Sequence, residues 1–218
     1  MYKTKDLLDL NHTIAKKHLE SNEYPWEALS GIGDLIIDLG KRLDQNEFKQ
    51  IKENIWVHNT AKIYDSAYIE GPCIIGANTE VRHCAFIRGK ALIGENCVVG
   101  NSCELKNVIL FDNVQTPHYN YVGDSILGYK AHMGAGSITS NFRADKGQIK
   151  IHAEEDIETG LRKMGAILGD GAEIGCNAVL NPGTIIGRNC IVYPTSCVRG
   201  ILKENSIHTN MGEILPRK

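Results

Sequence analysis

Apolar side chains recur at every sixth position along the central part of this 218-residue chain. A spacing of six fits neither the 3.6-residue turn of a helix nor the two-residue alternation of an ordinary strand. Hexapeptide repeats are typical of a parallel β-helix, in which each hexad makes one short strand and one bend. The repeated positions hold Val57, Ile63, Ile69, Ile75, Val81, Ile87, Ile93, Val99, Leu105 and Phe111.

The residue four places after most of these positions is small, which suits a tight corner. Three hexads would close one triangular coil, and successive coils would stack at the strand spacing of about 4.8 Å. A second regular run occupies Leu168, Ile174, Leu180, Ile186, Val192 and Val198. Between the two runs the repeat falters near residues 115–122 and lapses over about 139–167. The sequence therefore predicts a mainly β solenoid domain at 53–200, with a loop excursion at 139–167 and an irregular tail at 201–218.

Helical spacing replaces the hexads in residues 1–52. Leu7, Leu10 and Ile14 recur three or four apart, and Pro25 opens a second apolar series that weakens at Gly40. Asp44 and Glu47 predict a cap for a third short helix before Phe48. Because an open solenoid end exposes unpaired strand edges, this segment is predicted to be a helical N-terminal cap.

Composition and charge limit the partners and the cellular location that the sequence predicts. A net charge of −2 gives no argument for nucleic acid or an anionic membrane surface, and neither a signal peptide nor a membrane span is predicted. We therefore expect a cytoplasmic protein. Four of the seven cysteines, Cys73, Cys97, Cys103 and Cys190, stand in corner positions and are predicted to be small buried apolar residues rather than disulfides or metal ligands.

Interruptions of a solenoid are where sites are to be sought. Arg88 and Lys106 occupy equivalent hexad positions one coil apart, so they are predicted to stack on one edge and to offer two cations to a phosphate. The alternative is a pair of solvated surface cations. His118 lies in the first interruption, where a nearby Glu104 would orient its ring and leave the other nitrogen free as a general base.

Three motifs near this interruption carry a family resemblance. They are ELK at 104–106, HYNYVGDS at 118–125 and MGAGSITSNF at 133–142. They resemble the acetyltransferase domain of the bifunctional glucosamine-1-phosphate acetyltransferase / N-acetylglucosamine-1-phosphate uridylyltransferase family. The excursion, with GLRKMGA at 160–166, resembles related archaeal sugar-phosphate enzymes. The similarity covers roughly residues 55–200.

The resemblance implies a left-handed β-helix that assembles as a homotrimer with sites between subunits. It implies acetyl-CoA as donor, an amino sugar 1-phosphate (glucosamine or galactosamine 1-phosphate) as acceptor, direct transfer, and no metal requirement. By motif match His118 resembles the general base. Residues that resemble sugar-phosphate contacts are Arg88, Lys106, Tyr121, His132 and Lys146, and those that resemble the acetyl-CoA groove are Ala135, Asn141, Phe142 and Cys176.

The sequence departs from the family pattern in three places. The family's nucleotidyltransferase signature is not found, so no uridylyl transfer is expected. His132 replaces an Asn that contacts the sugar in the family, which leaves the sugar open, and Phe142 replaces a Tyr in the cofactor groove. Three other readings stay open: transfer to a hydroxyl, a non-catalytic solenoid that binds a nucleotide sugar, and a zinc carbonic anhydrase built on the same repeat, for which His83 and His118 lack a neighbouring third histidine.

Overall fold

The chain winds into a three-walled parallel β-solenoid in this computed structural model, which describes residues 2–217. The second wall is one sheet, and the first and third walls share another because two long strands cross the corner between them. Successive strands of each wall pair in parallel from one coil to the next. The predicted parallel solenoid is confirmed.

The strand bounds follow the three walls. The first wall contains Ile55–His58, Cys73–Ile75, Ala91–Ile93, Ala166–Leu168, Thr184–Ile186 and Ile201–Leu202. The second contains Lys62–Ile63, Glu80–Val81, Val98–Asn101, Gln115–His118, His132–Met133, Glu173–Ile174, Ile191–Val192 and Ser206–His208. The third contains Tyr68–Glu70, Phe86–Arg88, Ile138–Thr139, Val179–Leu180 and Cys197–Val198. The strands Glu104–Leu110 and Tyr121–Leu127 run from the third wall into the first.

Antiparallel strands close both ends of the ladder. Phe48–Lys52 pairs with the first strand of the first wall, and Ile214–Pro216 pairs with the last strand of the second wall. A reversed strand ends the parallel stacking and covers an edge that would otherwise offer free N–H and C=O groups. The third short helix predicted before Phe48 was therefore wrong, because Phe48 begins this end strand after a turn at Asp44.

The coils are not all the same length. Ile87 lies opposite Leu105, but Leu105 lies opposite Val122, one residue short of three full hexads. The missing residue falls at the corner that the long strand crosses, so Leu110, and not Phe111, lies opposite Ile93. Phe111 is nevertheless fully buried. The faltering repeat near residues 115–122 is thus a shift in register within a continuous solenoid.

A second shortened coil near the C-terminal end makes the repeat hard to follow in the sequence. Ile186 lies opposite Leu202, and Val192 lies opposite His208, so this coil has two residues fewer than three hexads. The prediction of an irregular tail from residue 201 was wrong for this reason. A strict six-residue count places Glu204, rather than Leu202, at the next inward position.

The first wall is buried on both of its faces. All three residues are buried in Cys73–Ile75, Ala91–Ile93, Ala166–Leu168 and Thr184–Ile186. Because side chains alternate along a strand, the middle residue of each points away from the solenoid axis. Those outward positions are aliphatic and need a cover, which the N-terminal residues supply.

Residues 2–43 form a strap along the side of the solenoid. It contains three helices, α1 (Thr4–Leu7), α2 (Lys16–Glu20) and α3 (Ile32–Gly40), and 3-10 helices at Leu10–His12 and Pro25–Gly31. The expected cap over one end is thus a cover along the length, because the apolar outer face of the first wall offers more surface to bury than an end does.

Contacts of the strap run from the last coil to the first. The Tyr2 hydroxyl accepts the Glu204 N–H at 2.8 Å, and the carbonyl of Leu7 accepts the Asp170 N–H at 3.0 Å. The His12 ring stacks on Tyr129 with centroids 3.6 Å apart. At the other end, Gly40 packs so closely on the Trp56 ring that a Cβ would lie 2.4 Å from it.

The excursion lies between Ile138–Thr139 and Ala166–Leu168. Its only regular element within the described chain is a small antiparallel hairpin of Lys150–Ile151 and Ile157–Glu158. Ile149, Ile151 and Met164 are fully buried, so the excursion packs onto the solenoid.

Among residues 2–217 there is no helix with the length and apolar character needed to cross a bilayer.

Asp170 is expected to hold the strap in place. Its carboxylate accepts the N–H groups of Asp9 at 2.7 Å and Tyr129 at 2.8 Å. Asp170→Ala leaves both donors without that partner and should lower the free energy of unfolding by about 2 kcal/mol. Urea unfolding measures the loss, and limited trypsin digestion should release the strap faster. The exposed Asp65→Ala is the matched control, and equal behaviour of the two variants would contradict this role.

Candidate active site

The outer face of the third wall gathers one group of predicted site residues. Inward-facing Ile87, Leu105 and Val122 lie in register, so their neighbours point outward in columns. Arg88 and Lys106 lie on adjacent strands of this face, and Tyr121 pairs directly with Glu104. The wall thus brings the predicted cations and the tyrosine together.

Both cations have carboxylate partners. Arg88 Nη1 lies 2.6 Å from Glu104 Oε1, and this hydrogen bond raises the pKa of the guanidinium. Lys106 Nζ lies 3.8 Å from Asp124 Oδ2. Glu104 therefore holds Arg88, and the expectation that it orients the His118 ring is not what the structure shows. The reason is register: Glu104 and Arg88 point outward from neighbouring strands of the third wall, whereas His118 ends a strand of the second.

A second group of predicted residues forms a column at the corner between the second and third walls. Gln115 lies opposite His132, which lies opposite Glu173, so His118, Ala135 and Cys176, each three residues further on, follow one another at this corner. The carbonyl of each accepts a hydrogen bond from the residue that turns the next corner, as in Gly136 N–H to His118 O at 2.9 Å. The corner column of His118, Ala135 and Cys176 is thus continuous along the axis.

His118 is exposed at this corner. Within residues 2–217 no side chain forms a hydrogen bond with its imidazole ring, whereas the equivalent His83 ring bonds to Ser66 Oγ at 3.0 Å. Neither ring nitrogen of His118 is therefore committed to a side chain of the described residues.

Asn120 fixes the backbone at His118, and the sequence did not single it out. It is 2% exposed, and its Oδ1 accepts the His118 N–H at 3.1 Å. Its Nδ2 donates to Gly134 O at 2.8 Å and to Ser137 Oγ at 3.1 Å. The available signal was an amide in a corner position where the other coils place a smaller residue.

Asp124 is the other residue missed. It is 6% exposed, and its carboxylate accepts hydrogen bonds from Asn107 Nδ2 at 2.9 Å and Asn141 Nδ2 at 2.5 Å. Asn141 also donates to the Tyr121 hydroxyl at 3.1 Å. Asn141, predicted for the cofactor groove, thus lies with the third-wall group rather than with the corner column.

The remaining predicted residues lie apart from these two groups. His132 is on the second wall, with Nδ1 2.8 Å from Glu173 Oε2. Lys146 is exposed on the excursion. Phe142 is 41% exposed there, with Lys163 Nζ 5.9 Å from its ring centroid. No side-chain hydrogen bond or ion pair in the described chain links these three to Lys106 or His118.

Residues 2–217 bring together no group of three His, Cys, Asp or Glu side chains that could hold a metal ion.

Two protein families match the chain. Residues 69–159 match the family described as GMPPB C-terminal domain, and residues 165–200 match bacterial transferase hexapeptide (six repeats). The chain carries a hexapeptide-repeat domain.

Relatives of this chain include archaeal proteins. The chain is 31% identical over 199 residues to the bifunctional protein GlmU of Methanococcus aeolicus, covering 82% of this chain and 48% of that protein. It is 30% identical over 215 residues to a bifunctional sugar-1-phosphate nucleotidylyltransferase/acetyltransferase of Sulfurisphaera tokodaii, covering 88% and 52%. The chain spans about half the length of the curated relatives it matches.

Solved structures similar to the hexapeptide-repeat domain include two at low identity. One is the acetyltransferase domain of PglB from Neisseria gonorrhoeae in complex with acetyl coenzyme A, with a TM-score of 0.41, 15% identity, and 75% of this chain and 57% of that chain covered. The other is a hexapeptide transferase family protein from Anaplasma phagocytophilum, with a TM-score of 0.42, 17% identity, and 73% and 76% covered.

Cysteine reactivity tests the packing of the hexapeptide-repeat domain. All seven cysteines are free, and Cys73, Cys97, Cys103 and Cys190 are buried, which confirms the prediction for the corner positions. Burial raises the pKa of the Cys97 thiol to about 12. We expect iodoacetamide to alkylate at most Cys84, Cys176 and Cys197 in the folded protein and all seven in urea. Mass spectrometry counts the adducts, and fast labelling of Cys97 without denaturant would contradict this packing.

Proposed function

We propose that this chain is an acetyl-CoA-dependent N-acetyltransferase that acts on an amino sugar 1-phosphate. The observation that carries the proposal is the exposed, uncommitted imidazole of His118, on a corner beside the wall that holds Arg88, Lys106 and Tyr121. Support comes from the Sulfurisphaera tokodaii relative, whose name includes both sugar-1-phosphate and acetyltransferase, and from the bacterial transferase hexapeptide match.

In the proposed reaction His118 acts as the general base. Its free ring nitrogen takes a proton from the acceptor amine as the amine nitrogen attacks the thioester carbonyl carbon. Backbone N–H groups stabilise the oxyanion, the carbon–sulfur bond breaks, and the imidazolium returns its proton to the departing CoA thiolate. Transfer is direct, so no acetylated enzyme forms.

Charge on the third wall suits a phosphorylated acceptor. Arg88 donates one N–H to Glu104 and has others to offer. The Lys106 ammonium lies 3.8 Å from Asp124, which is beyond hydrogen-bond distance, so its N–H groups are also available. A phosphate bound there would bridge the two cations, and the acceptor amine would extend toward the corner at His118. The corner column that continues through Ala135 and Cys176 offers a path along the axis for the extended pantetheine arm of acetyl-CoA.

A homotrimer would enclose this site. The strap covers the first wall, and the excursion packs at the corner between the third and first walls against Gly183 and Gly200. The second wall and the part of the third wall beside His118 are the faces left for contact between subunits. His118 lies at the corner between those two walls, and a neighbouring subunit would exclude water from it. Light scattering after gel filtration should give three times the 24.1 kDa chain mass.

His118→Ala should lower the rate of CoA release with glucosamine 1-phosphate or galactosamine 1-phosphate at least about 100-fold, because the amine loses its base. His83→Ala is the matched control, since His83 occupies the same corner two coils away and its ring is bonded to Ser66. A thiol-reactive dye measures CoA release, and light scattering checks the assembly. Unchanged turnover in His118→Ala would remove it from the mechanism.

The acceptor panel for this assay includes free amino sugars and hydroxyl acceptors. Acetylation of a hydroxyl with no transfer to any amine would replace N-acetylation by O-acetylation. Nucleotide-sugar binding with no CoA release from any acceptor would favour a binding protein instead.

Lys106→Met should raise the KM for a phosphorylated acceptor about 10- to 100-fold, because one charge-assisted hydrogen bond to phosphate contributes about 1.5–3 kcal/mol. The KM for the same sugar without phosphate should stay within about twofold. Lys62→Met on the second wall is the control. Steady-state kinetics with both acceptors decides, and an equal rise for both would show that Lys106 does not recognise phosphate.

A further inference from the structure

The corner between the third and first walls holds one acidic residue. Six residues there have positive φ: Gly89 at 82°, Lys90 at 51°, Asn107 at 53°, Asp124 at 47°, Gly183 at 80° and Gly200 at 77°. Glycine and asparagine adopt this left-handed region most readily. Asp124 is the acid in this series, although glycine would turn the same corner with less strain.

The carboxylate of Asp124 is buried among side-chain donors. Asn107 Nδ2 donates a hydrogen bond to Oδ1, and Asn141 Nδ2 donates one to Oδ2. Lys106 Nζ lies 3.8 Å from Oδ2. The Asp124 backbone is also fixed, because its carbonyl accepts the Gly165 N–H at 2.8 Å where the excursion returns. Such a carboxylate can only accept hydrogen bonds, and it therefore dictates the direction of every bond around it.

Asp124 fixes the orientation of the Asn141 amide, and Asn141 in turn fixes the role of the Tyr121 hydroxyl. A carboxylate requires the amino side of the Asn141 amide to face it, because the amide oxygen would be repelled. The Nδ2 group has two hydrogens, one for Asp124 and one for the Tyr121 oxygen at 3.1 Å. The Tyr121 oxygen is thus an acceptor in this bond, and its own proton is left for another partner.

Gly123 allows this arrangement to form. A Cβ at this position would lie 2.6 Å from the Tyr121 hydroxyl oxygen and 2.7 Å from Asn141 Nδ2. The two side chains meet over a backbone that has no side chain of its own. A side chain at position 123 would therefore push Tyr121 and Asn141 apart and break the hydrogen bond between them.

Within residues 2–217 no side chain accepts the Tyr121 proton through a hydrogen bond. The charged groups that act on the Tyr121 hydroxyl are Glu104, Asp124 and Arg88, and Glu104 is occupied by Arg88. Burial is the main reason that the pKa of Tyr121 is raised, and the hydroxyl therefore keeps its proton at neutral pH. Tyr121 faces the same outer surface as the two cations.

We propose that Asp124 is a positioning residue which, through Asn141, commits the Tyr121 hydroxyl to donate a hydrogen bond to a phosphate oxygen of the bound acceptor. The identity of that ligand rests on the proposed function. The same carboxylate holds Lys106 on this side of the wall, so one buried charge orients a neutral donor and a cationic donor toward one anion.

Asp124→Asn is the most specific test, because it keeps the shape of the side chain and reverses the direction of the hydrogen bonds that run from Asp124 through Asn141 to Tyr121. We call this chain of hydrogen bonds the relay. The new amide donates to Asn141, whose oxygen then faces inward and accepts the Tyr121 proton. We expect kcat/KM for the phosphorylated acceptor to fall about tenfold, through KM. Tyr121→Phe removes the donor itself and should cost a similar factor.

A double-mutant cycle separates this relay from a merely structural role. Asp124→Asn should lower kcat/KM for the phosphorylated acceptor by a factor that is at least about fivefold smaller in the Tyr121→Phe background than in the wild type. The reason is that the donor which Asp124 orients is gone in that background. An equal cost in both backgrounds would overturn the proposal. Asp65→Asn is the charge control, and circular dichroism checks that each variant folds.

A second readout needs no turnover. Tyrosine labelled with ¹³C at Cζ gives a resonance for Tyr121 that is assigned by its loss in Tyr121→Phe, and inorganic phosphate is the titrant. Phosphate should shift this resonance in the wild type and in Asp65→Asn, and should not shift it in Asp124→Asn. A missing shift in the wild type, or an equal shift in Asp124→Asn, overturns the relay. A shift that depends on Asp124, in a protein that acetylates nothing, leaves the relay standing and removes only the proposed function.

Discussion

Stacking of equivalent strands at one fixed spacing is the constraint on which this molecule depends. Each coil must place its inward side chain directly over the one before, and its corner N–H and C=O groups must meet those of the next coil. The ladder at the His118 corner illustrates this, since every carbonyl in it is bonded to the following turn. Residues far apart in sequence become neighbours only because this spacing is kept.

The same constraint explains why the molecule needs its strap. A solenoid wall has two faces, and the outer face of the first wall is as apolar as the inner one. A sheet that is apolar on both sides must be covered on both, as the sheets of α/β proteins are. The strap covers the first wall and the excursion packs at the corner between the third and first walls. The corner between the second and third walls remains open at His118, and the candidate site lies there.

The period of six was enough to predict the solenoid, since it specifies strand, bend and inward face together. It also placed Arg88 one coil below Lys106. It could not predict the shortened coils, because a one-residue loss at a corner leaves the pairing intact while it moves every later inward position. Thr116 and Thr139 are inward residues that an apolar pattern does not find. The outer burial of the first wall could have been noticed, since its strands are apolar at consecutive positions.

The two ends of the excursion are tied together beside Asp124, by Met164 N–H to Asn141 O at 3.1 Å and by the bond from Gly165. Closing a flexible segment whose ends already meet costs little more as it grows, about 0.6 kcal/mol for each doubling of length. The excursion can therefore lengthen, shorten or be exchanged in the course of evolution while the solenoid beneath it keeps its geometry.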